Sequence, residues 1–156
     1  MFFKKGLSFA IATILLLCST SYAMAGQFRT DDGYVIHYNA LSTEMLPSKV
    51  LNSYGIVQSK HRGLLNISVR KGDKKQYQHT KAIFARVTAQ STNLAGQFKT
   101  LKIQRIEEGN QETKAVYYIA VFSITNAETL EFTITVDPDY QGKAHKIKFR
   151  QEFFID

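Results

Sequence analysis

The chain has 156 residues, one cysteine and no tryptophan, and its formal net charge is +7. A lone cysteine excludes an internal disulfide, and a chain of this length buries enough apolar surface to fold as one domain without one. The positive excess is moderate, compatible with an ordinary secreted protein and with weak contact to anionic lipid or polysaccharide.

The N-terminus reads as a secretory signal peptide over residues 1–25. Met1-Phe2-Phe3-Lys4-Lys5 supplies the charged start, an apolar run extends from Leu7 to Cys18, and Ala23-Met24-Ala25 places small residues before Gly26. The run is too short for a spanning helix, which needs about 20 residues. Cys18 raises a lipid-attachment alternative, but Leu15-Leu16-Leu17 stand where a small residue belongs. Cleavage after Ala25 removes the only cysteine and leaves residues 26–156 as a single periplasmic domain with no transmembrane segment.

Residues 26–32 are polar, and Tyr34, Ile36 and Tyr38 then alternate in a first strand. Pro47, the helical spacing of Val50, Leu51 and Tyr54, and the stop at Gly55 predict a two-turn helix covering one end of a sheet. Next comes Ser59-Lys60-His61-Arg62-Gly63, where cationic groups crowd a glycine that is free to take unusual backbone angles. It leads into a second strand with Leu65, Ile67 and Val69 on one face and Asn66, Ser68 and Arg70 on the other, ended by a charged turn from Lys71 to Lys75. A third strand from Ala82 to Gln90 points Ile83, Ala85, Val87 and Ala89 inward and pairs with the second as a hairpin. Residues 91–97 form an ordered loop pinned by Leu94.

The fourth strand runs from Phe98 to Ile106, with Phe98 out of phase and a bulge expected. Ala115 to Phe122 is apolar on both faces and is the expected central strand. Leu130, Phe132, Ile134 and Val136 alternate most clearly of all, and Asp137-Pro138 ends that strand. The last strand extends from His145 to Ile155 with Lys146, Lys148 and Arg150 on its solvent face, where lysines discourage edge pairing. The sum is an all-β chain of about seven strands with one short helix. Its long connections favour an immunoglobulin-like β-sandwich over a barrel.

The runs Ser59 to Ile67, Asn93 to Gln97, Tyr117 to Ala120 with Phe122, and Glu128 to Ile134 resemble those of a family of small periplasmic proteins of Gram-negative bacteria, catalogued as a domain of unknown function (DUF4426-like). The resemblance implies an immunoglobulin-like sandwich behind a signal peptide, and it implies no activity.

Little in the chain points to chemistry. His37, His61, His79 and His145 are scattered, with no pair at ligand spacing, so neither metal nor another cofactor is expected. No Gly-x-Ser-x-Gly turn and no phosphate loop occur. Glu107 and Glu108 read as a solvated turn, and Asn66-Ile67-Ser68 is a glycosylation match in mid-strand that is set aside. Export argues against nucleic acid. The expected function is a non-enzymatic binding or adaptor domain for an envelope protein, a peptide or an anionic envelope component; a hydrolase with a loop-assembled site is the alternative. The candidate binding residues are Lys60, Arg62, Asn93 and Gln97: a guanidinium beside two amides suits a carboxylate or a carbonyl-rich peptide, or else Arg62 ties loops together through backbone carbonyls.

Overall fold

The computed structural model describes residues 25–73 and 79–155. The expected signal peptide, apart from Ala25, therefore lies outside the described residues, as does the end of the charged turn that begins at Lys71. In chain order the elements are β1 (Gly26–Arg29), β2 (Tyr34–Ser42), α1 (Ser48–Ser53), β3 (Arg62–Lys71), β4 (Lys81–Ala82), β5 (Ala85–Asn93), β6 (Phe98–Leu101), β7 (Gln104–Glu108), β8 (Ala115–Ser123), β9 (Glu128–Pro138) and β10 (His145–Phe153).

The strands form two packed sheets, antiparallel throughout. One has six strands in the order β1-β2-β3-β8-β7 with β4 also on β3; the other has four in the order β10-β9-β5-β6. Alternation explains the layering. Leu65, Ile67 and Val69 of β3, Val116, Tyr118, Ala120 and Phe122 of β8, and Leu130, Phe132, Ile134 and Val136 of β9 all point between the sheets and are buried. Aromatic rings bridge the layers: Phe132 lies 5.0 Å from Phe122 and Tyr38 lies 4.9 Å from Phe149, while Phe132 and Phe149 stack at 5.0 Å within one sheet.

The doubly apolar strand has a simple cause. β8 sits inside the six-stranded sheet, and its outward residues Tyr117 and Ile119 meet a second cluster with Leu64, Leu51 and Ile56, where α1 lies on the outer face of the sheet. The helix thus covers a face and not an end, and Gly55, at φ +68, turns the chain out of it.

Several sequence expectations fail for identifiable reasons. Residues 26–29, a polar stretch where no strand was expected, pair with β2, Gly26 opposite Tyr38. β3 and β5 are not a hairpin, since they lie in different sheets, and β3 instead joins β2 and β8. The expected single strand from Phe98 to Ile106 is two strands, β6 and β7, with the chain leaving one sheet for the other at Lys102 and Ile103. Leu94 pins nothing, being 80% exposed. Pro138 does not stop its strand, because β9 includes it opposite Ala85.

One cross-layer bond ties the sheets together. The Ala85 backbone N–H donates to the Tyr118 hydroxyl at 2.7 Å in a buried setting, and burial pushes the Tyr118 pKa up. Tyr118→Phe leaves that N–H unpaired and is expected to cost about 1–3 kcal/mol in urea unfolding.

Candidate functional site

Of the four candidate residues, the structure groups Asn93 and Gln97 around one turn. The Gln97 backbone N–H donates to Asn93 Oδ1 at 2.9 Å, and Asn93 Nδ2 donates to Gln97 Oε1 at 2.9 Å. The two amides therefore stiffen the loop between β5 and β6. Arg62 opens β3 directly opposite Ser123 of β8 and is exposed, and its backbone N–H donates to the Ser59 carbonyl at 3.2 Å. No bond of its guanidinium is found among the described residues. Lys60 is exposed in the turn before it.

Gly63 does not use the unusual backbone angles open to it, since its φ is not positive. It sits within β3 opposite Phe122, and a Cβ added there would stand 2.3 Å from the Phe122 ring. The glycine makes room for a core aromatic.

Asn93 and Gln97 form part of the wall of a cleft of about 560 Å³, whose other walls include Ser91, Lys99, Thr100, Lys102, Val121, Ser123, Thr125 and Glu128. Lys60 and Arg62 do not line it, although Arg62 is paired with Ser123, which does. The cleft exists because the chain changes sheets between β6 and β7. β6 pairs with β5 alone, so its other edge is open. β7 covers β8 only as far as Ile119, so Ala120 to Ser123 are paired on the β3 side alone. Two open strand edges, one from each sheet, thus border a single cleft.

Two lysines, Lys99 and Lys102, and one glutamate, Glu128, bring charge to the lining. Glu128 is occupied, accepting from the Thr125 backbone N–H at 2.8 Å and from the Thr125 hydroxyl at 3.0 Å. Neither Lys99 nor Lys102 enters the ion pairs found among the described residues with Asp32, Glu107, Glu131 and Asp139. The lining contains serine and threonine hydroxyls but no histidine, cysteine or aspartate beside them. Sequence reasoning missed Lys99, Lys102, Ser123 and Glu128. The phase slip at Phe98 lies at the start of β6, and it gave no signal of the change of sheet at Lys102 and Ile103.

No group of three or more His, Cys, Asp or Glu side chains that could hold a metal is present among the described residues. His37 projects from the exposed face of β2, and its pKa is lowered by burial first, then by Arg70 and Arg29. Because the folded state resists protonating it, its contribution to stability is complete above an unfolded pKa of about 6.5 and is lost as pH falls through that value toward the lower folded one. His37→Gln is expected to flatten the thermal stability profile between about pH 7 and 5, as read by melting temperature at each pH.

No helix among the described residues is long and apolar enough to cross a membrane. No curated protein matches the chain. A DUF4426 family protein, PA0388 of Pseudomonas aeruginosa PAO1, has a crystal structure that is 30% identical, with a TM-score of 0.68 over 85% of this chain and 96% of that one. FetP of uropathogenic Escherichia coli strain F11, expressed recombinantly in the periplasm, is similar at 9% identity and a TM-score of 0.56, covering 85% of this chain and 95% of that one. A copper-bound variant of the same FetP is similar at 8% identity and a TM-score of 0.57, covering 85% and 96%. At those identities the likeness to FetP is one of fold. Residues 28–156 match the family described as a domain of unknown function (DUF4426), and the chain belongs to that family.

Proposed function

We propose that this protein is a non-enzymatic binding domain of the periplasm, and that it holds an extended peptide segment of an envelope protein by strand addition in the cleft between β6 and β8. The observation that carries the reading is the pair of open edges on one cleft, β6 from one sheet and Ala120 to Ser123 from the other. An extended peptide gains main-chain hydrogen bonds along such an edge and alternates its side chains between the two sides. Lys99 and Lys102 are the cations available on the cleft wall, which favours acidic side chains in the peptide, and Asn93 and Gln97 hold the loop that closes one end. Lys60 and Arg62 extend the positive surface past the cleft, where an anionic envelope component could be met. The charged start, apolar run and small residues read in residues 1–25 support the location. The two-sheet packing and its likeness to solved structures support an immunoglobulin-like sandwich.

Against a hydrolase stands the lining itself, in which hydroxyls lack a histidine base and the one carboxylate is bonded to Thr125. Selection from a random linear peptide library tests the reading. Peptides that bind are expected to weaken roughly tenfold or more in the Lys99→Glu, Lys102→Glu double variant while its melting temperature stays at that of the parent. Unchanged affinity would remove the cleft from the account. Arg62→Lys, which keeps the charge and alters only the fork, is expected to change neither melting nor peptide affinity.

A further inference from the structure

The outer face of the four-stranded sheet carries a second hollow, of about 180 Å³. Its polar walls are Thr88 and Gln90 of β5, Thr100 of β6, Thr133 and Thr135 of β9, and Lys146 of β10. The strand register brings these side chains together. Thr135 stands between Thr88 and Lys146 in one row, and Gln90 stands between Thr100 and Thr133 in the next. Neighbouring strands lie about 4.8 Å apart and these rows about 7 Å apart, so the two rows make one patch. The core takes the alternate residues Ala89, Leu101, Ile134 and Ile147, which leaves all six on the outer face. Short threonines beside the longer Gln90 and Lys146 make the surface hollow.

The chemistry of the hollow narrows its ligand. β5 and β9 are each paired on both sides, so beneath it no backbone edge is open to an added strand and recognition falls to side chains. No side-chain hydrogen bond or ion pair of the six is found among the described residues, and hydroxyl and amide groups both donate and accept, as sugar hydroxyls do. Lys146 adds one positive charge, which suits a carboxylate. The lining has no carboxylate of its own, and Glu131 in the following row is engaged by Lys148 at 3.7 Å and by Arg150 at 3.0 Å. Phe98 lies two residues before Thr100 on the same face and is 67% exposed, a ring on which the apolar face of a sugar can rest. From Phe98 to Lys146 is three strand spacings across and four residues along, about 20 Å. That span fits a chain of sugars better than a single one.

We infer that the outer face of the four-stranded sheet binds an acidic oligosaccharide, with one sugar on Phe98, the middle of the chain hydrogen-bonded to Gln90 and Thr133, and a carboxylate on Lys146. Apart from Thr100 these residues do not line the cleft, and the inference does not rest on how that cleft is read.

The test is a titration of the protein with tetragalacturonate, followed by backbone amide shifts. Its methyl ester is the uncharged control, and tetraglutamate is the control for charge alone. The expected result is shifts centred on residues 88–90, 98–100, 133–135 and 146, with tetragalacturonate bound roughly tenfold more tightly than either control. Lys146→Met should bring the acid to the level of its ester. Thr133→Val with Thr135→Val, which keeps the shape and removes the hydroxyls, should weaken acid and ester alike. If that double variant does not fold, Lys146→Met and Phe98→Ala, both at exposed side chains, decide, the second weakening acid and ester alike. Equal binding of tetraglutamate at the same residues, shifts confined to residues 121–128 of the cleft, or no shift at millimolar saccharide would overturn the assignment.

Discussion

Replacing Phe132 by alanine is expected to remove about 3–5 kcal/mol, a large share of the ~5–15 kcal/mol that holds a typical domain. Phe132 is fully buried at the centre of β9, and its ring meets Phe122 of β8 at 5.0 Å edge-on and stacks on Phe149 of β10 at 5.0 Å. Its loss opens a cavity that rings held on two other strands cannot collapse to fill. Thr133, the next residue along β9, points to the outer face, and Thr133→Ala should cost well under half as much. Guanidinium unfolding of both variants measures the difference. Equally mild effects would mean that the side chains of β9 are assigned to the wrong faces.

Gly63→Val should be the next most damaging change, at about 1–3 kcal/mol or more. The added Cβ would lie 2.3 Å from two carbons of the Phe122 ring, and that ring is itself held by Phe132 at 5.0 Å and Phe153 at 5.5 Å. The cause is volume and not backbone angle, which gives the prediction a second part. Shrinking the neighbour with Phe122→Leu should recover part of the loss, so the double variant is expected to be less unstable than the two single effects combined. Strict additivity would show that the glycine is required for some other reason. Gly96 is the contrasting case: its φ is +78 and nothing lies near its missing Cβ, so there a substitution meets backbone strain alone.

What the sequence disclosed was governed by alternation. β9 and β3 were legible because one face of each is buried and the other is not, and period two records this directly. The sheet partners were not legible. Pairing of β3 with β8 joins residues far apart in the chain, and nothing in either strand names the other. The break between β6 and β7 left no mark, since Leu101 and Ile103 keep period two across it and the slipped phase at Phe98 lies at the start of β6. That silence hid the cleft, because the open edges exist only where the chain crosses over. Asn93 and Gln97 were found through the turn-forming run around them, whereas Lys99 and Lys102 look from sequence like any solvated strand residues. Asn66 shows the same limit, since in sequence it is a polar residue on the outer face of a strand. Only the placement of α1 over that face buries its carbonyl.

The most direct test of the proposed function is hydrogen exchange at single-residue resolution, with and without a peptide selected from the linear library. In the free protein the open edges of β6 and of residues 120–123 should include amides that exchange quickly, while the amides of β9, which is paired on both sides, exchange slowly. Bound peptide should slow exchange in residues 98–101 and 120–123 and leave the outer edge of β10 unchanged. Protection that appeared along β10 or β1 instead, with none at β6 or β8, would contradict strand addition in this cleft.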